Sequence, residues 1–275
     1  MLQDKKLTFI GGGTMAEAML SGLLTQELIP AAQVTVTDLR ADRLTFLEER
    51  YGVKTTTDNG AGVKTADIVV LAVKPQYMTA VARPLQGQLP PHTLLISILA
   101  GTTLSALISG FQHDVVVRAM PNTPAQIGMG MSMWTQTAAV SEAQKEQAQV
   151  VLSSFGKEIF TDQEKYLDMA TAINGSGPGY VFLILEAMID AGVHLGFARD
   201  VAETLVMQTV LGSVQYALAS DSHLAELRNQ VTSAGGTTAA GLYTMEKAGL
   251  RTALTDGIWA AYNRSAELGK PQKDD

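Results

Sequence analysis

The run Gly11-Gly12-Gly13-Thr14-Met15-Ala16 stands where a short apolar segment, Leu7 to Ile10, gives way to a helical pattern. It fits G-x-G-x-x-[GA]. In such a turn Gly11 permits the tight bend, and Gly13 lets a pyrophosphate approach the backbone. The small Ala16 lets the helix pack close to the strand. Amides at the helix start then meet phosphate oxygens at the favourable end of the helix dipole. The pattern alone is common, but strand before and helix after supply the context that dinucleotide binding demands. Asp38 closes the next strand, where a carboxylate holds the ribose hydroxyls of NAD. Arg40, two residues on, instead suits a 2′-phosphate. The Asp38 carboxylate repels such a phosphate, so the pair leans towards NAD, with an ordinary solvated loop pair as the plain alternative.

Further chemistry-bearing strings close later strands or open later helices. Ala72-Val73-Lys74-Pro75 ends one strand, Ser97 to Gly101 another, and Arg118-Ala119-Met120-Pro121-Asn122-Thr123-Pro124 follows a third. All fall at the carboxyl edge, where ligands of doubly wound sheets sit. Asn174-Gly175-Ser176-Gly177-Pro178-Gly179-Tyr180 and Ser233-Ala234-Gly235-Gly236-Thr237-Thr238 each lead into a helical pattern. Glycines and hydroxyls at a helix start make an anion cradle suited to a carboxylate. An ordinary capped helix is the plain reading of either string alone. The four histidines form no relay: His194 reads as a packed residue on an apolar helix, and no His/Asp/Glu cluster has metal-ligand spacing. The methionine-rich Met129-Gly130-Met131-Ser132-Met133 reads as core filler.

These strings need a scaffold. Leu7 to Ile10, Val34 to Thr37, Ile68 to Val73, Leu94 to Ile98 and Val115 to Val117 read as strands. Met15 to Leu24, Asp42 to Arg50 and Tyr77 to Pro84 read as helices between them. That alternation predicts a parallel, doubly wound α/β sheet. Strands covered on both faces explain why Ile68 to Val73 shows no polar alternation. From about Glu164 the strand signal stops and helical patterns take over, at Gly179 to Leu195, Asp200 to Ala219, His223 to Val231, Thr237 to Lys247 and Thr252 to Leu268. The expected division is residues 1–163 for the nucleotide and 164–275 for an all-helical second domain, with Lys270 to Asp275 a frayed tail. Tyr180 to Leu185 is apolar all round and must be covered on every side. A subunit interface does this, and burial within its own domain is the alternative.

Composition sets outer bounds. The 275 residues favour two domains, and 46% hydrophobic with 17% charged is globular. No cysteine is present, which excludes a disulfide scaffold, thiolate-held metal centres and a thiol nucleophile. The formal charge of −7 gives no footprint for nucleic acid or anionic lipid. The longest uninterrupted apolar runs fall well short of the roughly 20 residues a membrane span needs, and no signal-peptide cleavage site is visible. A cytoplasmic, soluble protein is expected.

Together, Gly11 to Ala16, Ala72-Val73-Lys74-Pro75, Met120-Pro121-Asn122-Thr123-Pro124, Gly175-Ser176-Gly177-Pro178 and Gly235-Gly236-Thr237-Thr238 resemble the signatures of the pyrroline-5-carboxylate reductase family, in order and over nearly the whole chain. The resemblance implies a Rossmann domain followed by a helical domain that dimerises, often into decamers. It also implies reduction of 1-pyrroline-5-carboxylate to L-proline with NADPH or NADH, the last step of proline synthesis. By position it implies cofactor contacts from Gly11, Gly13, Thr14, Met15, Ala72, Val73, Lys74 and Pro75. Asp38, Arg40 and Asn59 fall at the adenosine end, and Ala100 and Gly101 on the nicotinamide side. It implies substrate contacts from Ser233, Gly235, Gly236, Thr237 and Thr238, with Glu164 close by. Holding a cyclic imine there would place the Thr238 hydroxyl on the ring nitrogen, with a hydroxyl that caps the helix start as the plain alternative. Ala234 stands where the family usually has Pro, Asn174 where Ser is usual, and Asp38 where many members have Ser or Thr. Two other readings compete, the first of them strongly opposed by the sequence. A β-hydroxyacid dehydrogenase shares the layout but needs a lysine where this chain has Leu183. A non-catalytic NAD(P)-sensing protein also fits a Rossmann scaffold.

Overall fold

The computed structural model describes residues 2–269, so the expected tail from Lys270 lies outside the described residues. Eight strands form one sheet: β1 (Leu7–Ile10), β2 (Val34–Thr37), β3 (Lys54–Thr56), β4 (Ile68–Leu71), β5 (Leu94–Ser97), β6 (Val116–Met120), β7 (Gly130–Gln136) and β8 (Gly156–Phe160). Their order is β3-β2-β1-β4-β5-β6-β7-β8, parallel throughout except between β6 and β7. Helices α1 (Thr14–Thr25), α2 (Ala41–Tyr51), α3 (Asn59–Val63), α4 (Met78–Leu85), α5 (Leu104–Phe111) and α6 (Glu142–Ser153) connect them. Chain order reverses between β1 and β4, the switch point at which a doubly wound sheet opens a crevice beyond its carboxyl edge.

The two sheet faces carry separate cores. Ile68 and Val70 of β4 pack with Met19, Leu23 and Leu47 from α1 and α2 on one face. Val69 and Leu71 pack with Ala82, Leu85, Leu107 and Phe111 from α4 and α5 on the other. Successive side chains point to opposite faces, so a strand covered on both sides has no polar position. Three strands depart from the expected five. In β7 the buried positions include Gly130, Ser132 and Thr135 beside Trp134, so the expected methionine-rich filler is a strand whose buried residues are largely small or polar. β8 is an edge strand with Ile159 and Phe160 exposed, and β3 has only three residues.

Beyond the sheet come α7 (Tyr166–Ala170), α8 (Gly177–His194), α9 (Arg199–Leu218), α10 (Leu224–Gln230), α11 (Thr237–Lys247) and α12 (Leu250–Leu268). α7 runs into α8 through a π-helical turn, Thr171–Gly175, in which Ser176 N–H donates to Thr171 O at 2.8 Å. Asn174 to Gly179 is therefore not a helix start. The Ser176 amide is already bonded within the π-helical turn, so this string continues one helix into the next and does not present the open start expected of an anion cradle. The same continuity makes Tyr166–His194 a 29-residue helix, long and apolar enough to cross a membrane by length and composition. The expectation that nothing spans rests on short uninterrupted apolar runs, whereas this helix meets the length and composition by joining such runs across the residues between them.

The chain forms two compact units, one from the residues up to Ser176 and from Ala261 onward, the other Gly177–Ala260. The first thus reaches past the expected boundary at 163 and takes in the last turns of α12. The second unit has almost no core of its own. No residue of α8, α10 or α11 is buried, and α9 buries only Ala202 and Val206. The all-round apolar stretch of α8 is not covered by its own domain: Phe182 and Leu183 are 63% and 65% exposed. His194, expected to be packed, is exposed as well.

Candidate functional site

At the mouth of the sheet the first glycine turn is built as its sequence demands. Gly11 has φ +98°, and a Cβ there would meet the Ala72 carbonyl oxygen at 2.8 Å, so no other residue fits. Ala16 is buried beneath the turn. Gly13 is the N-cap of α1, no side chain caps that helix, and the space beside its Cα is open. The amides that begin α1 thus lack a side-chain cap beside open space, an arrangement that fits the pyrophosphate of a dinucleotide. Thr14 and Met15 are the first residues of that turn.

Asp38 lies beside it. Its Oδ2 accepts from Gly12 N–H at 2.8 Å, and its Oδ1 accepts from Arg40 N–H at 3.0 Å and Arg40 Nε at 3.3 Å. Burial alone would raise the Asp38 pKa. The hydrogen bonds from Arg40 and Gly12 and the Arg40 charge outweigh it and hold the carboxyl below its ordinary value. Asn59, at the start of α3, accepts from Thr37 Oγ1 at 2.5 Å, which fixes it at the end of β2. Motif reading missed Arg43. Its Nε donates to Gly12 O at 2.5 Å, and its guanidinium pairs with Glu17, which also accepts from Tyr51 OH. Burial would raise the Glu17 pKa too, but Arg43, Tyr51 and Arg50 lower it overall. A basic residue three positions after Arg40, in the first turn of α2, was the available signal.

Ala72 and Val73 continue from β4 beside Gly11, and Lys74 and Pro75 lead into a 3₁₀ turn with both residues exposed. Ala100 and Gly101 follow β5, with Gly101 at φ +70°. The Pro121 to Pro124 loop is fastened by two amides. Asn122 Oδ1 accepts from Met131 N–H at 2.9 Å, and Asn174 Nδ2 donates to Met120 O and Met131 O at 3.0 Å each. Asn174, where the family resemblance leads one to expect Ser, thus ties the π-helical turn to β6 and β7. Glu164 belongs to this unit as well, and its Oε1 accepts from Arg118 and from Leu104 N–H.

In the second unit, Ser233 to Thr238 does form a helix start. Gly235 has φ +69°, and Gly236 N–H donates to Ser233 O at 3.1 Å. A Cβ on Gly236 would come within 2.4 Å of Ser233 Oγ and 3.2 Å of Ser233 O, so any larger residue must displace the Ser233 side chain. Gly236 is the N-cap of α11, and no side chain caps the helix. The amides of Thr237, Thr238 and Ala239 are thus left for an anion. The Thr238 hydroxyl makes no hydrogen bond among the described residues. The capping role that was its plain alternative is not taken.

The chain also resembles known proteins over nearly its whole length. The profile described as pyrroline-5-carboxylate reductase dimerisation matches residues 164–268, and that described as NADP oxidoreductase, coenzyme F420-dependent, matches residues 6–101. A pyrroline-5-carboxylate reductase of Pseudomonas aeruginosa is 41% identical over 98% of this chain and 98% of its own. The structure of a pyrroline-5-carboxylate reductase from Coxiella burnetii superposes with a TM-score of 0.89 at 37% identity, covering 97% of this chain and 99% of that one. The Plasmodium falciparum pyrroline carboxylate reductase with NADP bound gives 0.89 at 31% identity, covering 98% and 99%.

Proposed function

The chain belongs to the pyrroline-5-carboxylate reductase family, and we propose that it carries the substrate's carboxylate on the uncapped start of α11. The enzyme reduces 1-pyrroline-5-carboxylate to L-proline with NAD(P)H, the closing step of proline biosynthesis. The observation that carries the site assignment is the second free helix start, with an unused hydroxyl beside it.

The reaction asks little acid–base chemistry of the protein. A cyclic imine protonated at nitrogen is already electrophilic, so positioning and aimed dipoles supply most of the catalysis. The amides of Thr237, Thr238 and Ala239 take the carboxylate, with Ser233 and the Gly235-Gly236 turn shaping the cradle. Thr238 Oγ accepts the N–H of the protonated ring and thereby orients the imine carbon. On the first unit, Gly11, Gly13, Thr14 and Met15 hold the pyrophosphate. Asp38, Arg40 and Asn59 hold the adenosine end, Ala72 to Pro75 flank the bend, and Ala100 and Gly101 receive the nicotinamide side. The bound nucleotide supplies the hydride. The same reading makes residues 1–163 the nucleotide-binding part and 164–275 the substrate-binding and dimerising part. It makes the enzyme a cytoplasmic homodimer, with further assembly to a decamer resting on family resemblance.

Steady-state oxidation of NADH and NADPH dependent on pyrroline-5-carboxylate tests the assignment. Thr238→Ala should lower kcat/KM about 10- to 1,000-fold, roughly 1.4–4 kcal/mol of transition-state stabilisation. Nucleotide affinity should hold, and Thr238→Ser should keep much of the activity. A fully active Thr238→Ala variant would sink the role given to its hydroxyl.

A further inference from the structure

Arg118 is a cation where the fold does not call for one. It lies on β6 among Val116, Val117 and Ala119, all buried, and its own side chain is 3% exposed. A buried ion pair gives no general stability advantage over apolar packing, so its value lies in the geometry it imposes. One guanidinium nitrogen donates to Glu164 Oε1 at 2.8 Å, and the other donates to Asp168 Oδ1 at 3.1 Å.

Each carboxylate passes that constraint on to the same loop. Glu164 Oε1 also accepts from Leu104 N–H at 2.7 Å, the first residue of α5, which pins the end of the Ile98 to Thr103 loop. Asp168 Oδ1 also accepts from Ser265 Oγ at 2.9 Å, in the last turns of α12. Three residues on, Leu268 lies against Gly101 in the middle of the loop, so close that a Cβ on Gly101 would be 2.9 Å from Leu268 Cβ. The loop is thus gripped at its middle and at its end, and both grips return to one guanidinium.

We propose that Arg118, acting through Glu164 and Asp168, is a positioning residue that sets the Ala100-Gly101 loop for the nicotinamide end of the cofactor. The proposal rests on the placement of that loop given above, and it makes Glu164 a support for the loop in place of a substrate contact. Because hydride transfer tolerates little misplacement, a shifted loop should cost nicotinamide binding and turnover while leaving the pyrophosphate and adenosine contacts alone.

The test compares NADH with ADP-ribose, which lacks the nicotinamide, by calorimetric titration of the full-length protein. Arg118→Lys retains the charge but lacks the planar fork that bonds both carboxylates. Glu164→Leu removes the grip on Leu104, and Glu164→Gln keeps an oxygen for it. The first two should weaken NADH about tenfold or more with ADP-ribose changed less than about twofold. Glu164→Gln should stay near wild type. Parallel loss of both ligands overturns the proposal, because the cluster then only holds the fold. Unchanged NADH affinity with a raised KM for pyrroline-5-carboxylate in Glu164→Leu also overturns it, because Glu164 then touches substrate. If Arg118→Lys does not fold by circular dichroism, Ser265→Ala makes the same comparison, and equal effects on the two ligands overturn the proposal there too. A wild-type protein that binds NADH but does not turn over pyrroline-5-carboxylate would refute the reductase reading, while the contrast between the two ligands would still decide the loop.

Discussion

Asp38 and Arg40 pull in opposite directions on paper, but the structure joins them. Arg40 spends its Nε on Asp38 Oδ1, so much of its charge is answered before any ligand arrives. The Asp38 side chain is 14% exposed and, with its pKa held down, stays ionised at working pH. A fixed carboxylate at this point welcomes two ribose hydroxyls and opposes a 2′-phosphate. NADH should therefore serve at least as well as NADPH. Asp38→Ser removes the opposing charge, frees Arg40 and should raise the NADPH/NADH ratio of kcat/KM by about tenfold or more, the scale of one lost charge repulsion of roughly 1.4 kcal/mol. A strong wild-type preference for NADPH, or a ratio untouched by the substitution, would contradict this account.

At the level of elements, the carboxylates around α1 join helix to helix and strand end to turn. Glu17 on α1 receives Arg43 and Tyr51 from α2, and Asp38 receives the Gly12 amide from the glycine turn. Both carboxyls are depressed in the folded protein, so unfolding takes up protons once the pH nears their ordinary values of about 4. The stability they contribute is complete above about pH 5 and is lost as pH falls through the lowered folded values. In thermal melts, Glu17→Gln should therefore melt below wild type at pH 7, with the gap shrinking towards pH 3. A gap independent of pH would mean that Glu17 acts by shape alone. Elements whose backbone imposes a residue type were legible in the sequence: Gly11 and Gly235 occupy positive φ, and β1 and β4 are buried on both faces. β7 was not, because its buried positions hold Gly130, Ser132 and Thr135. The π-helical turn hid the join of α7 to α8, since glycines that normally end a helix are carried through one. The Arg118 cluster was illegible because its partners stand 46 and 50 residues away. No local spacing encodes such a contact.

At the level of the whole molecule, the helical unit explains why the chain is not complete alone. Val181, Phe182, Leu183 and Ile184 are consecutive, so on a helix they point all round the axis, and each is between 38% and 65% exposed. Leu205, Leu211 and Val214 of α9 are about half exposed as well. Contiguous apolar surface on this scale marks an interface, and the dimerisation profile spans these helices. Lipid is the competing occupant by length and composition alone, but a second copy accounts for the exposed faces of α9 as well as α8. Obligate interfaces typically bury over about 2,000 Å², and for such dimers stability depends on protomer concentration. Wild-type protein should therefore stay dimeric or larger at nanomolar concentration, in the absence of detergent, with a Tm that rises with protein concentration. Phe182→Asp places a charge in the middle of that interface. It should lower the Tm by several degrees, abolish most activity, and shift the protein to monomer or aggregate in light scattering and sedimentation. Activity and Tm should recover in part as concentration rises. A stable, fully active monomer, from either wild type or the Phe182→Asp variant, would show that the apolar faces are covered by something other than a second copy.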